Sequence, residues 1–419
     1  MTTIDVDIEA LPARRVARSE QPASSARFRR IAISSVHGDP LDPRTWSSAP
    51  FRIAQALRRR DIEVLGVNTA PLRSTRLRLA ARHLLAGMGV PRSSEAIMRG
   101  HAARAEAANR LEARLRRDGV KHVLHMGTLD LPLPSGGSCA EHYAYCDQTW
   151  ALSLKYRPDL SSYSRRALRV FEELERAALY GLAHVFTFGA YVRDHLISHY
   201  GLPPSRVTVA GSGMGPIVPH LGVKDYAAPE ILFVAKHLFV QKGGKLLLDA
   251  FRLARRQRPD LVLTIVGDDR TRDLLPPDRN IRFFGHVQLT RLQALYRNAS
   301  LLAQPMLNDP WGQVYLEALV SRTPVLGLRR NGLPEITENG RHGFLVDSSE
   351  PGAVADAILD ALSDPDRLAR MGETGQQYVL TRYSWRQVAD RIAGVDADTE
   401  TDEATFDAYL NERNGQEAH

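Results

Sequence analysis

Lysines are scarce in this arginine-rich sequence, yet Lys236, Lys242 and Lys245 fall close together. Gly243 and Gly244 follow Lys242, in a predicted loop between a buried strand and a helix. Glycines let the backbone approach a ligand closely, and the free N–H groups of a helix N-terminus attract anions. Ammonium groups beside them would suit a diphosphate, although an ordinary loop with solvated charges has the same pattern.

Two carboxylates, Asp309 and Glu317, lie in a second stretch of this kind, which follows a predicted strand and opens an apolar helix. Glu317 stands among the apolar residues of that helix. A carboxylate there must be paired or must bind a ligand, because burying it alone is costly. Paired carboxylates can accept hydrogen bonds from sugar hydroxyls, so the stretch predicts a sugar or phosphate site. A structural salt bridge from Glu317 is the alternative.

Two runs of alternating strands and helices must position these residues. The first run extends from a predicted strand at Arg30–Ser35 to one at Val207–Ala210, with a long helical stretch over Leu72–Arg117. The second extends from Ile231–Val234 to Gly343–Val346. Such alternation is typical of doubly wound parallel sheets, which bind ligands at the carboxyl ends of their strands. We therefore predict an α/β protein with two such domains facing each other across a cleft.

Length and composition agree with this organisation. A chain of 419 residues exceeds the usual size of one hydrophobic core, so two domains are expected. No apolar run approaches the ~20 residues that span a bilayer, and residues 1–30 lack the apolar core of a signal peptide. Cys139 and Cys146 are the only cysteines, too few for a disulfide framework or a structural zinc site. We therefore expect a cytoplasmic protein.

The formal net charge of +7 reflects arginines spread through amphipathic helical stretches. Aromatic residues do not alternate with them, as a surface that stacks on bases requires, so we predict no nucleic-acid partner. The segment Leu72–Gly87 places leucines against arginines at helical spacing. It is compatible with peripheral contact to the anionic inner face of a membrane, but a solvated helix packed on its own domain is the favoured interpretation.

Five short motifs in the second half, taken in order, resemble the nucleotide-binding half of retaining glycosyltransferases of GT-B fold, family 4. They are Phe233–Lys236 with Lys242-Gly243, Thr264–Gly267, Asp309 with Glu317–Leu319, Thr323–Val325, and Asn331–Ile336. The first half resembles the family more loosely, through Phe188–Tyr191 and Tyr200–Pro204. The segment Tyr383–Trp385 resembles the start of a final helix that crosses back onto the first domain.

The resemblance implies transfer of a hexose, with retention, from a UDP- or GDP-sugar. By this resemblance, Lys236 and Lys242 would neutralise the donor diphosphate in place of a metal ion. Glu317 would hold the ribose hydroxyls, and Asp309 would hold a hydroxyl of the transferred sugar. Further donor contacts are expected from Gly243, Gly267, Gly312, Gly332 and Leu333. No cofactor and no metal are expected, and two D-x-D sequences, Asp5–Asp7 and Asp396–Asp398, lie in the terminal segments.

The predicted boundaries follow from these patterns and the resemblance. They are a disordered leader over 1–27, an acceptor-side Rossmann-like domain over 28–215, a linker over 216–229, a nucleotide-sugar-binding Rossmann-like domain over 230–380, a crossing helix over 381–395 and a mobile acidic tail over 396–419.

The sequence departs from the family pattern at four positions. Asp309 stands where the family usually has glutamate, Lys236 where it has arginine, and Ala235 and Arg322 where it has glycine. These departures bear on donor identity and catalytic rate more than on the fold.

The acceptor side rests on weaker patterns. Asp147 is expected to end a strand facing the cleft, and to contact acceptor or sugar. His125 is a second candidate, although a lone histidine in a strand is more often a core residue. His37 and Gly38 begin a loop, continuing to Trp46, that is expected to border the acceptor path.

The acceptor would be a glycan, a lipid-linked molecule or a small molecule, in cell-surface glycan or glycoconjugate synthesis. Two alternatives remain open on the same fold: a phosphorylase or epimerase, and a non-catalytic protein that binds nucleotide sugars. Turnover with release of a nucleoside diphosphate separates the transferase from both.

Overall fold

The computed structural model describes residues 26–75, 77–78, 81, 98–132, 137–157 and 163–395. Most of the predicted leader, most of the segment Leu72–Gly87 and the whole predicted tail lie outside the described residues. None of the helices in the described part of the chain is both long and apolar enough to span a bilayer.

The first half of the chain forms a six-stranded sheet in the order β2-β1-β3-β4-β5-β6, with every described pair of neighbours parallel. Its strands are β1 (Arg30–Ser35), β2 (Glu63–Asn68), β3 (His122–Met126), β4 (Glu141–Cys146), β5 (His184–Thr187) and β6 (Val207–Val209). Its helices are α1 (Ala49–Arg58), α2 (His101–Asp118), α3 (Trp150–Tyr156), α4 (Arg165–Tyr180) and α5 (Ala190–Ser198).

The second half forms another parallel six-stranded sheet, in the order β12-β11-β10-β7-β8-β9. Its strands are β7 (Glu230–Ala235), β8 (Val262–Gly267), β9 (Ile281–Phe284), β10 (Leu301–Ala303), β11 (Val325–Leu328) and β12 (Gly343–Val346). The helices that follow are α6 (Gly244–Ala254), α7 (Leu289–Asn298), α8 (Gln313–Val320), α9 (Leu333–Ile336), α10 (Pro351–Ala361), α11 (Pro365–Arg382) and α12 (Trp385–Ala393).

Local sequence explains these elements. The central strands are nearly continuous apolar runs, as is usual for parallel sheets covered by helices on both faces. Several helices begin at a polar side chain that accepts a hydrogen bond from a free backbone N–H. These capping residues are Thr149 for α3, Ser164 for α4, Asp364 for α11 and Ser384 for α12.

The predicted long helix over Leu72–Arg117 is wrong in extent. Gly100 has extended backbone, and α2 begins only at His101. The short helix α3 was not predicted, because its seven residues carry little periodicity. Helix α5 ends at Ser198, and Gly201 has a left-handed backbone conformation, with φ of 76°.

The last of the described helices, α12, packs against α1 of the first half. Asp390, buried on α12, forms an ion pair with Arg60, with Oδ2 and Nη2 2.6 Å apart. Trp385 donates its indole N–H to the carbonyl of Met214 at 2.9 Å, and Arg391 donates to that of Ala210 at 2.8 Å. The end of the second half thus completes the packing of the first.

The ion pair under α12 yields a stability prediction. We expect Asp390→Asn to lower the free energy of unfolding by about 2 kcal/mol, because Arg60 loses its charged partner at a largely buried site. Urea denaturation followed by circular dichroism measures the change. Glu63→Gln, which removes the exposed partner of Arg30, is the control and should change stability little. Equal effects in both variants would contradict the importance of the buried pair.

Candidate functional site

The order of the second sheet brings two loops to one crevice. β7 and β10 are neighbours, but the chain leaves them toward opposite edges of the sheet, β8 on one side and β11 on the other. Ligands of doubly wound sheets bind beyond the carboxyl ends of the strands at such a point. Lys236 directly follows β7, and the loop over residues 304–312 follows β10.

Lys242, Asp309 and Glu317 form a group of charges at this crevice, which we call the lysine–carboxylate cluster. The Lys242 ammonium contacts Oδ2 of Asp309, and both side chains are largely enclosed, with exposed fractions of 25% and 16%. Burial lowers the pKa of Lys242 to about 8, and the nearby charge of Glu317 opposes that fall. The structure therefore brings together three of the predicted donor residues.

Glu317 lies deeper in the cluster. Its Oε2 accepts a hydrogen bond from the hydroxyl of Tyr296 at 2.8 Å. Burial raises the pKa of Glu317 to about 7, against the opposing effects of Tyr296 and Lys242. Its other oxygen lies against Gly215, where a Cβ would clash with the carboxylate. Tyr296, fully buried on α7, was missed because nothing in its helix marks it as a carboxylate partner.

Glycines make the close packing around the cluster possible. Gly243 precedes α6 with φ of 87°, and a Cβ there would collide with the carbonyl oxygen of Pro305. Gly312, with φ of 79°, precedes α8. Gly267 ends β8 beside Ala235, and a Cβ would lie 2.6 Å from the Ala235 carbonyl oxygen. The loops after β7 and β10 therefore touch backbone to backbone.

The other predicted donor residues lie near these loops in different environments. Lys236 is exposed and has no ion-pair partner among the described residues. Gly332 packs directly under the ring of Trp311, and its N–H donates to the Pro310 carbonyl at 3.0 Å. Leu333 is 2% exposed, so its side chain belongs to the core and only its backbone is near the loop.

Asp147 lies where the two halves meet. It follows β4, and its backbone carbonyl oxygen is 2.6 Å from the hydroxyl of Tyr191. The same hydroxyl is 2.7 Å from the carbonyl oxygen of Pro310. Tyr191 thus bridges the end of β4 and the loop that carries Asp309. Burial raises the pKa of the Asp147 carboxyl to about 7. Tyr191 falls inside the motif Phe188–Tyr191, but the sequence does not indicate its bridging contact.

Glu335 joins the halves at a second point. Its Oε1 accepts the Tyr191 N–H at 2.9 Å, at the free N-terminus of α5. Burial raises the pKa of Glu335. Gly189, which precedes α5, has no room for a Cβ between Glu335 and Trp311. A carboxylate from the second half therefore caps a helix of the first, a contact that the motif Asn331–Ile336 does not reveal by itself.

His125 is not brought to the open part of the cleft. Its ring is fully buried, with Nδ1 3.0 Å from the Ser34 hydroxyl and Nε2 2.8 Å from Nδ1 of His142. Asp130 lies 3.2 Å from the same Nδ1. These contacts match the core interpretation of this histidine.

His37 and Gly38 lie at the carboxyl end of β1, at the start of the loop that continues to Trp46. His37 is exposed, and Gly38 has a φ of 135°. The rings of His37 and Trp46 stack with centroids 5.9 Å apart. The described residues contain no group of three or more His, Cys, Asp or Glu side chains arranged as metal ligands.

The chain is similar in sequence to known proteins. Residues 224–378 match the family model of glycosyl transferases group 1. The D-inositol 3-phosphate glycosyltransferase of Corynebacterium glutamicum (strain R) is 29% identical over 286 residues, which are 60% of this chain and 67% of that protein. The GDP-mannose-dependent alpha-(1-6)-phosphatidylinositol monomannoside mannosyltransferase of Mycolicibacterium smegmatis is 31% identical over 179 residues, which are 39% of this chain and 46% of that protein. The family-model match lies within the second half of the chain, and both relatives are named as glycosyltransferases.

The fold has solved counterparts. Sucrose-phosphate synthase from Thermosynechococcus elongatus superposes with a TM-score of 0.68 at 17% identity, over 87% of this chain and 98% of that one. With the two parallel six-stranded sheets, this likeness confirms the predicted two-domain α/β fold of GT-B type.

The contact at Gly243 yields a prediction about the site. We expect Gly243→Ala to lower the free energy of unfolding by about 2 kcal/mol or more, because alanine disfavours the left-handed conformation and its methyl group meets Pro305. Urea denaturation measures this. Gly352→Ala is the matched control, since a Cβ there meets open space. Unchanged stability of Gly243→Ala would contradict the tight packing of the two loops.

Proposed function

We propose that this protein is a retaining glycosyltransferase that moves a hexose from a UDP- or GDP-sugar to an acceptor hydroxyl without a metal ion. The lysine–carboxylate cluster carries the proposal, because it places an ammonium group and two carboxylates where the second sheet favours a ligand. An ammonium suits a diphosphate, and carboxylates suit the hydroxyls of ribose and hexose.

The geometry suggests how donor binding would proceed. Lys242 contacts Asp309, and a diphosphate would compete for the same ammonium group. Binding would thereby leave the Asp309 carboxylate available to a hydroxyl of the transferred sugar, while Glu317 holds the ribose. Lys236, exposed at the end of β7, would add a second positive charge.

In the proposed transfer, the acceptor hydroxyl attacks the anomeric carbon on the face that the diphosphate leaves. The acceptor proton passes to the departing diphosphate, whose negative charge the two lysines stabilise. Electrostatic stabilisation of a leaving group in an enclosed site is a large contribution to catalysis. Asp147, which lies at the meeting point of the halves, would contact the acceptor or the sugar.

The names of the relatives support a nucleotide-sugar donor and leave the acceptor broad. One relative is named for D-inositol 3-phosphate and another for GDP-mannose and a phosphatidylinositol mannoside. For this chain we propose a glycan, lipid-linked or small-molecule acceptor, in cell-surface glycan or glycoconjugate synthesis.

Donor binding and turnover test the proposal. We expect UDP or GDP to raise the melting temperature, and Lys242→Ala and Glu317→Gln to weaken nucleotide binding at least about tenfold, since each removes a charge-assisted contact. Lys245→Ala, at an exposed neighbouring lysine, is the matched control. Wild-type affinity in both cluster variants would refute this donor site.

Assays with UDP- and GDP-hexoses then separate the alternatives. Release of nucleoside diphosphate with transfer to an acceptor supports the transferase, and NMR of the product's anomeric proton reports retention. Full activity in EDTA supports metal independence. Nucleotide binding without turnover over a broad acceptor panel would favour the non-catalytic alternative. Phosphate-dependent cleavage of a glycan would favour the phosphorylase.

Nucleotide affinity should have a maximum between about pH 7 and pH 8. Below the raised pKa of Glu317, at about 7, its carboxyl is protonated and accepts hydroxyl hydrogen bonds less well. Above the lowered pKa of Lys242, at about 8, its charge is lost. Calorimetric titration with GDP or UDP from pH 6 to pH 10 measures the fall in affinity on both sides of the maximum, which are the acidic and alkaline limbs of the pH profile.

Lys242→Arg is the control for the alkaline limb, because arginine stays charged and should preserve affinity at pH 9. Glu317→Gln should abolish the acidic limb, which distinguishes Glu317 from Asp147. A pH-independent wild-type affinity across this range would contradict the roles of both residues.

A further inference from the structure

Trp46 forms an aromatic surface on the first half's side of the cleft. It is half-buried in the loop after β1, and its ring is nearly parallel to that of His37, at 5.9 Å and 23°. It also contacts Phe188, with the two rings tilted by 56° and their centroids 5.8 Å apart. Phe188 is buried, whereas His37 is exposed, so the row of rings leads from the core to solvent.

The backbone at Trp46 is strained. Trp46, Ser47 and Ser48 have φ angles of 42°, 53° and 64°, which puts three consecutive non-glycine residues in the left-handed region. Residues other than glycine rarely adopt this backbone conformation, and residues held in it cluster at ligand sites. Buried Thr45 and Ala49 flank the strained residues. The loop therefore holds Trp46 in one orientation at an energetic cost.

The same row of rings reaches the lysine–carboxylate cluster. Phe188 packs edge-on against Trp311 of the second half, with centroids 5.9 Å apart. The backbone N–H of Trp311 donates to Oδ1 of Asp309 at 3.2 Å. Trp46 is thus two ring contacts away from the loop that would hold the transferred hexose, and it lies on the opposite side of the cleft.

We propose that Trp46 and His37 form a stacking platform for a six-membered polyhydroxylated ring of the acceptor, a pyranose or a cyclitol. Such rings have a face of C–H bonds, which packs on the electron-rich face of an aromatic ring and leaves the hydroxyls at the edge for polar partners. Ser47 and Ser48 offer hydroxyls beside the platform. The inference rests on the proposed transferase function and narrows its acceptor class.

Tryptophan fluorescence tests the platform directly. The full-length protein, saturated with GDP or UDP, is titrated with methyl α-D-glucopyranoside, methyl α-D-mannopyranoside, myo-inositol and the open-chain polyol sorbitol. We expect a saturable change in emission with at least one ring compound and none with sorbitol, and loss of that change in Trp46→Phe. A response to pyranosides alone, or to inositol alone, identifies the kind of ring. Identical responses to the ring compounds and sorbitol, or no response to any, overturn the proposal.

Kinetics supply a second readout. With a ring acceptor, Trp46→Ala should raise the acceptor KM about tenfold and leave the donor KM and kcat within about threefold, whereas Trp46→Phe keeps most of the affinity. Tyr180→Ala, at an exposed aromatic residue on α4, is the matched control. An acceptor KM unchanged in Trp46→Ala refutes the platform.

The two levels of the proposal fail differently. If wild-type protein neither binds UDP or GDP nor releases them from sugar nucleotides, the transferase function itself fails. If donor binding and acceptor-independent hydrolysis are intact in Trp46→Ala while acceptor affinity is also intact, only the platform is wrong. Thermal unfolding of each variant confirms that the fold is retained.

Discussion

The site depends on the contact between the enclosed Lys242 ammonium group and the Asp309 carboxylate, with the charge of Glu317 nearby. A charge removed from water must be compensated by close partners, so the loops after β7 and β10 have to meet without intervening side chains. That requirement explains Gly243 and its contact with Pro305. The order of the second sheet supplies the remaining condition, since it places both loops at the same edge.

The two halves meet through polar contacts as well as apolar packing. A continuous core cluster includes side chains from both sheets, and over it Tyr191 and Glu335 join the N-terminus of α5 to the loops of the second half. The loop that carries Asp309 therefore contacts the donor-side charges and the first half together. The hydroxyl of Tyr191 links that loop to the backbone carbonyl of Asp147.

Much of the fold follows from local pattern, because buried parallel strands are short apolar runs. The predicted bounds of β1 and β12 coincide with the observed ones. Arg322, noted as replacing a glycine near a tight turn, has a φ of 56°, and Gln376 accepts a hydrogen bond from its guanidinium at 2.9 Å. The partners that tune the site were beyond prediction, since Tyr296 and Tyr191 meet it only through tertiary packing.

Helix α12 also has a consequence for how the chain acquires its structure. It covers α1, although some three hundred residues of sequence separate the two helices. An apolar face of α1 therefore stays exposed to water until α12 has been synthesised. Contacts of such sequence separation slow folding, and exposed apolar surface promotes aggregation of nascent chains. The packing of the first half is therefore completed only after most of the second half has been translated.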